Sequence, residues 1–251
     1  MHSDTVRRAA LNNACWCDAV CRAHGKTGAF TPAAWSSTAA MPRYYPNLVT
    51  LDVPIGDADP LEQVRALMEA GLPDGWAIKD SFACLDLDRL GFTTLFAADW
   101  IHRPPTQPLS GTVIPGVSWR RIDTPADLGR WESAWTAAPD SGMPSIFLPP
   151  LLAEPGLSFI AGERDGEIVA GCVAGKAAGV IGISNLFAPP AALDAHRRAC
   201  IDAVARLAPG IALVSYDDAE ACRSMAEIGF ERVGPLRVLQ SPARRPLTTP
   251  G

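Results

Sequence analysis

No apolar run in this 251-residue chain approaches the roughly 20 residues needed to span a bilayer. Nor is there a surplus of positive charge: Lys and Arg number 22 against 27 Asp and Glu, a formal net charge of −5. Such a balance supplies no basic field for a polyanion, which argues against nucleic acid as a partner, as the lack of a long apolar run argues against membrane. The first residues, Met1-His2-Ser3-Asp4, lack the basic start and apolar core of a secretion signal. Seven cysteines, an odd number, fit thiols in a reducing compartment better than a disulfide framework. The expectation is a cytoplasmic monomer or homodimer acting on a small molecule. With 48% hydrophobic and 20% charged residues, the chain has the composition of a globular protein with one large or two modest cores.

The second half parses most readily. Val117–Ile122 reads as a strand, and Thr124-Pro125 as a helix N-cap followed by proline at the first helical position. Leu128, Trp131 and Trp135 then share one helical face. Residues 157–164 and 167–176 flank Asp165-Gly166, a dipeptide suited to a tight hairpin turn. Ala178-Gly179 turns into an apolar strand over 180–187. A helix with Leu193, Cys200, Val204 and Leu207 on one side follows Pro189-Pro190. A strand at 211–216, a short helix at 219–228 and a strand at 230–239 complete the order β-α-β-β-β-α-β-α-β.

The first half repeats the end of this order. Asn47-Leu48 opens a strand, and Asp59-Pro60 with Glu62 reads as a capping box before a stripe of Leu61, Val64 and Met68 that stops at Gly71. Residues 76–82 read as a strand, 85–90 as a helical turn, and 93–102 as a strand. A shift of 138 superposes Asn47-Leu48 on Asn185-Leu186 and Leu90-Gly91-Phe92 on Ile228-Gly229-Phe230. Two anchors in one register around one element order indicate an internal repeat. The fold class expected is α/β with a mixed sheet, in two tandem units. These are residues 1–103, a worn copy, and residues 117–251, joined by a linker over 104–116 that carries four prolines.

Three segments of the C-terminal unit resemble the GNAT acyltransferase superfamily over about 125 residues. They are the hairpin ending in Val169-Ala170-Gly171, the strand-proline-helix of Leu186-Phe187-Ala188-Pro189, and the terminal Ile228-Gly229-Phe230-Glu231-Arg232-Val233-Gly234. The resemblance implies acyl transfer from acetyl-CoA or another acyl-CoA to a small amine or amino-acid-like metabolite. It also implies catalysis in the splay beside the Asn185 strand, and thioester-arm contacts along Leu186, Phe187 and Ala188. Two family features are missing. The family's phosphate loop is glycine-rich and opens the central helix, where unpaired N–H groups and the helix dipole meet the diphosphate. Here Pro189-Pro190-Ala191-Ala192-Leu193-Asp194 has no glycine, and Arg197 and Arg198, the cofactor-binding candidates, lie a turn or more inside the helix. The family's tyrosine acid falls on Met225. Non-CoA chemistry such as aminoacyl transfer, or a non-catalytic partner or sensor role, therefore stays open.

The remaining candidates come from the residues themselves. Tyr216 at one strand end, and Asp80 in Lys79-Asp80-Ser81 at its equivalent, border the crevice of an open α/β sheet and are candidates for proton transfer, although Asp218, next along, suits an N-cap. Asn185 and Asn47 place amides on apolar strands, with Asn185 a catalytic candidate. His102 is a candidate base, and Trp100 and Tyr45 are aromatic walls. Asn13, Cys17, Cys21 and His24 fall on one stripe of an N-terminal helix. That stripe reads as metal ligands, a thiol–imidazole pair, or a face packing thiols inward. With no second ligand pair the inward face is preferred and no metal is expected, while Asn13 and Trp16 are substrate-binding candidates.

Overall fold

The computed structural model describes residues 2–53, 60–136 and 143–243. The N-terminal half comprises α1 (His2–Ala23), β1 (Ala29–Phe30), β2 (Ala34–Ser36), β3 (Leu48–Thr50), α2 (Leu61–Glu69), β4 (Ala77–Asp80) and β5 (Thr93–Arg103). The C-terminal half comprises β6 (Ser118–Arg121), α3 (Pro125–Thr136), β7 (Leu157–Arg164), β8 (Glu167–Ala177), β9 (Val180–Phe187), α4 (Leu193–Leu207), β10 (Leu213–Asp217), α5 (Ala219–Ala226) and β11 (Glu231–Gln240). The punctuation has local causes. Asp165-Gly166 (φ 51° and 81°) and Ala178-Gly179 (φ 53° and 73°) adopt the positive φ pairs that a type I′ hairpin turn requires. Thr124 Oγ1 accepts from the Asp127 N–H at 3.1 Å and starts α3. Asp218 accepts from the N–H groups of Glu220 and Ala221, each at 2.9 Å, and starts α5.

Among the described residues, all eleven strands form one sheet in the order β1-β2-β3-β4-β11-β5-β10-β9-β8-β7-β6. The centre is an exchange. The last strand of each half leaves its own neighbours: β11 inserts beside β4, β5 inserts beside β10, and the two pair antiparallel. Registers on the two sides correspond. Asp80 lies opposite Arg237 and Lys79 opposite Val238, as Asp217 lies opposite Asp99 and Tyr216 opposite Trp100. Lys79 and Tyr216 thus occupy equivalent places on the two flanks of the central pair.

Alternation along the strands divides the apolar side chains between two helical layers. Trp100, Val214 and Val238 pack with Val6 of α1, and α3 brings Trp131 to the same side with Trp16 and Phe159. Ile160, Ile181 and Leu213 face Cys200 and Val204 of α4, and Leu48 and Ile78 face Val64 and Leu67 of α2. No helix among the described residues is long and apolar enough to cross a membrane.

Several expectations need correction. Leu67 rather than Met68 completes the α2 stripe, Met68 being 39% exposed, and Leu207 is half-exposed at the end of α4. Strand β4 stops at Asp80 because the chain turns at Ala83 (φ 51°), and the expected turn at 85–90 shrinks to a 3-10 turn at Asp88–Leu90. The capping aspartate Asp59 lies outside the described residues, and Pro60 supplies no side-chain cap. The linker is bound to its surroundings. Asp202 accepts from the N–H groups of Ser110 and Gly111, and Arg103 donates to the carbonyls of Gln107 and Pro108.

Candidate functional site

Parallel strands β9 and β10 pair at Ile181–Leu213 and Gly182–Val214, are tied once more where Ser215 Oγ donates to the Ile183 carbonyl at 3.0 Å, and have no further ladder pairing beyond it. Beyond that point β9 bulges: the register to β8 slips between Gly171–Phe187 and Val173–Ser184, and Asn185 takes φ 53°. An asparagine tolerates this left-handed geometry better than a branched residue would. In the N-terminal half the matching strands stay together. Leu48 pairs with Ile78 and Val49 with Lys79, and the buried Thr50 Oγ1 accepts from the Ser81 N–H at 2.8 Å. Among the described residues, the bulge at Asn185 and the cavity beside it belong to the C-terminal half.

Beside that bulge is a composite site. Two adjoining cavities, of about 380 and 70 Å3, share Tyr44, Tyr45, Pro46, Lys79 and Tyr216 as walls. The smaller adds Asn13, Trp16, Cys17, Ser184 and Asn185; the larger extends over Met41, Trp76, Phe96 and Val238. Lys79 is 4% exposed and donates to Asn13 Oδ1 at 2.8 Å and to the Tyr216 hydroxyl at 3.0 Å. Its Nζ also lies 4.1 Å from the Tyr216 ring centroid. No carboxylate among the described residues lies within ion-pair distance of it. The Tyr45 hydroxyl is buried near Trp16 and Asn185, but no partner meets it in hydrogen-bonding geometry. Burial pushes that phenol well above its ordinary value.

Five sequence candidates therefore meet: Asn13, Trp16 and Tyr45 from the N-terminal half, Asn185 and Tyr216 from the C-terminal half. Trp100 supports them from below, its ring edge-on to Tyr216 at 5.3 Å and its indole N–H on the Ser81 carbonyl at 2.9 Å. The other candidates lie elsewhere. Asp80 points to the opposite face of the sheet and is fully buried, accepting from the Leu85 N–H at 2.9 Å and from Arg237 Nε at 3.1 Å. His102 stands near Glu231 and Arg8. Asn47 donates to the carbonyls of Ser37 and Ala39, a structural tie. On the cysteine stripe each group has its own partner: Cys17 faces Asn13 Oδ1, Cys21 faces Ser37 Oγ, and His24 meets the Ile146 carbonyl. Burial pushes the Cys17 thiol up to about 11, so it is no thiolate at neutral pH. No group of three or more potential ligands among the described residues is arranged for a metal ion. Sequence reading missed Lys79. Its place in Lys79-Asp80-Ser81, matched to Tyr216-Asp217-Asp218, was the available signal.

The groove where α4 begins tests the acyl-CoA expectation. Its space of about 590 Å3 is lined by Asp194, Asp217, Asp218 and Glu220. Arg197 is 8% exposed and held by Asp194 at 3.3 Å and Ser224 at 3.1 Å, and Arg198 pairs with Glu227. Pro189 and Pro190 offer no N–H, and the Ala192 N–H is turned back to the Pro189 carbonyl. A diphosphate does not fit four carboxylates and two arginines already paired. Leu186, Phe187 and Ala188, by contrast, are half-buried along the splay, as a thioester arm requires.

No protein-family model and no curated protein matches the chain. Solved structures do. A GCN5-related N-acetyltransferase from Kribbella flavida shares 16% identity over 94% of this chain and 96% of its own, with a TM-score of 0.64. A conserved protein of unknown function from Staphylococcus epidermidis shares 9% identity over 86% and 93%, with a TM-score of 0.62. A tandem GNAT protein from the clavulanic acid biosynthesis pathway shares 12% identity over 77% and 73%, with a TM-score of 0.50. Identities this low speak to architecture alone. This chain has the GNAT fold.

Proposed function

We propose that the protein is a GNAT-type acyltransferase whose transfer site is the cavity at the β9–β10 splay, acting on a small amine. The observation that carries this is the cavity beside the β9 bulge, where Asn185 and Tyr216 of the C-terminal half meet Asn13, Trp16, Tyr45 and Lys79 of the N-terminal half. Because Lys79 donates to the Tyr216 oxygen, the phenol keeps its own proton for a ligand. The donor expected here is a thioester held by its arm. The groove at α4 meets the diphosphate of acetyl-CoA with four carboxylates and an arginine already paired, so acetyl-CoA and other acyl-CoA molecules would have little advantage over acyl-pantetheine.

The test is thiol release and product mass with a panel of amines, using acetyl-CoA and S-acetyl-pantetheine side by side. Comparable kcat/KM for the two donors is expected, with kcat falling roughly 10²-fold or more in Tyr216→Phe. A large preference for acetyl-CoA, lost in Arg197→Ala/Arg198→Ala, would instead make the arginines its phosphate site. The same acidic groove favours a second reading, a GNAT-fold protein with non-CoA chemistry. Absence of turnover with either thioester would select it.

A further inference from the structure

Lys79 is a buried cation with an incomplete set of partners. Its three N–H donors find Asn13 Oδ1 and the Tyr216 hydroxyl, both neutral, and no carboxylate is in reach among the described residues. The buried arginines are better supplied: Arg197 meets Asp194 and Ser224, and Arg103 donates to the carbonyls of Ile228, Gln107 and Pro108. The Tyr216 ring, 4.1 Å from Nζ, offsets part of the cost, but an uncompensated buried charge is costly and an anionic ligand would relieve it. A second unmet group stands beside it, the Tyr45 hydroxyl, which is buried without a hydrogen-bond partner and lines both cavities. Cys17, the nearest titratable side chain on α1, stays a neutral thiol and supplies no counter-charge.

The space in front of Lys79 has the opposite character. The larger cavity is walled by Met41, Tyr44, Trp76, Leu95, Phe96 and Val238, an aromatic and aliphatic surface that rewards burial of an apolar group. Arg43 and Asp74, the other charged residues on its lining, come from the segments 40–47 and 73–77, not from the strand that carries Lys79. The smaller cavity leads the other way, to Ser184 and Asn185 at the splay. A ligand that fills this arrangement carries an anion for Lys79, an apolar body for the larger cavity, and its reactive group towards Asn185.

We propose that Lys79, with the Tyr45 hydroxyl beside it, is a carboxylate anchor, and that the molecule bound is an α-amino acid with an aromatic or large aliphatic side chain. Its amino group and its role as acyl acceptor rest on the transfer function proposed above; the binding of its carboxylate and apolar body does not. The anchor comes from one half of the chain and Asn185 and Tyr216 from the other, so the pocket exists only because β4 and β10 flank the exchanged central strands.

Calorimetric or NMR titration without any acyl donor tests this directly, using L-phenylalanine, L-leucine and L-tryptophan, their amides, and the corresponding decarboxylated amines. At least one acid is expected to bind tenfold or more tightly than its amide and amine. In Lys79→Met that preference should vanish, while Lys79→Arg retains part of it; thermal melts establish that both variants fold. Should Lys79→Met fail to fold, Tyr45→Phe, which removes only the hydroxyl, is expected to weaken the acid more than the amide. Equal binding of acid and amide to the unaltered protein, binding of none of the acids, or an acid preference that survives Lys79→Met would overturn the anchor. Lys79-dependent acid binding with no thioester turnover would leave the anchor standing and remove the transferase.

Discussion

Lys79 and Asp80 are neighbours on β4 and face opposite sides of the sheet, and their surroundings give them opposite tasks. Asp80 is saturated by the Leu85 N–H and Arg237, so it holds the 81–85 turn against β11. Asp80→Ala strips a partner from Arg237 and should cost about 3 kcal/mol, read as a lower urea midpoint. Lys79 has room for a ligand where Asp80 has none. Cys17 shows burial acting on reactivity. With its thiol pushed up to about 11, it should resist iodoacetamide at pH 8 in the folded protein and react only on unfolding. Fast alkylation of Cys17 in the native state would restore it as a nucleophile candidate. Burial also holds the His102 imidazole below its ordinary value, with Glu231 opposing and Arg8 reinforcing the shift. The unfolded chain then takes up that proton first, at about pH 6.5. Stability is therefore full above that pH and falls as pH drops towards the lower folded value. Melts between pH 7.5 and 5.5 should show a shallower loss in His102→Gln; parallel slopes would remove His102 from the account.

At the scale of elements, α1 matters more than its place at the start of the chain suggests. It lies across β3, β5, β8, β9 and β11 and so joins the two halves. Asn12 fastens it, donating to the carbonyls of Gly175 and Ala177 at 2.8 and 3.1 Å. The fit leaves no spare room, since a Cβ on Gly182 would come within 1.9 Å of Asn12 Oδ1. Gly182→Ala should destabilise by ~2 kcal/mol through this overpacking and disturb the ligand site, because Asn13 is the next residue on the helix. Denaturation midpoint and ligand affinity should fall together. The helix is legible as a helix from its sequence, and its Cys17–Cys21 face as inward. That Asn13 meets Lys79 is not legible, because the two lie 66 positions apart and nothing local links them.

The whole molecule is organised by the strand exchange. Strand β11 pairs with β4 and β5, so neither half has a complete sheet of its own. Fragments 1–103 and 117–251 are therefore expected to be insoluble or poorly folded when expressed singly, and to recover a common fold when co-expressed. Independent, cooperative unfolding of either fragment alone would show the halves to be separable domains. The full chain should melt in one transition for the same reason.

The sequence by itself determined what depends on neighbours along the chain. Asp165-Gly166 and Ala178-Gly179 set two hairpins through positive φ, Thr124 and Asp218 set two helix starts, and the recurring β-α-β order followed from apolar periodicity. It also marked Asn13, Trp16, Tyr45, Asn185 and Tyr216 one by one, as polar or aromatic groups at strand ends and on a helix face. Tertiary structure alone decided that these five share a cavity and that Lys79 completes it. Strand pairing is a contest among backbones whose hydrogen bonds are nearly alike, so the choice of β11 for β4, and of β5 for β10, leaves no local mark in either strand. That choice puts the equivalent residues Lys79 and Tyr216 on the flanks of one central pair, within 3.0 Å of each other at their tips.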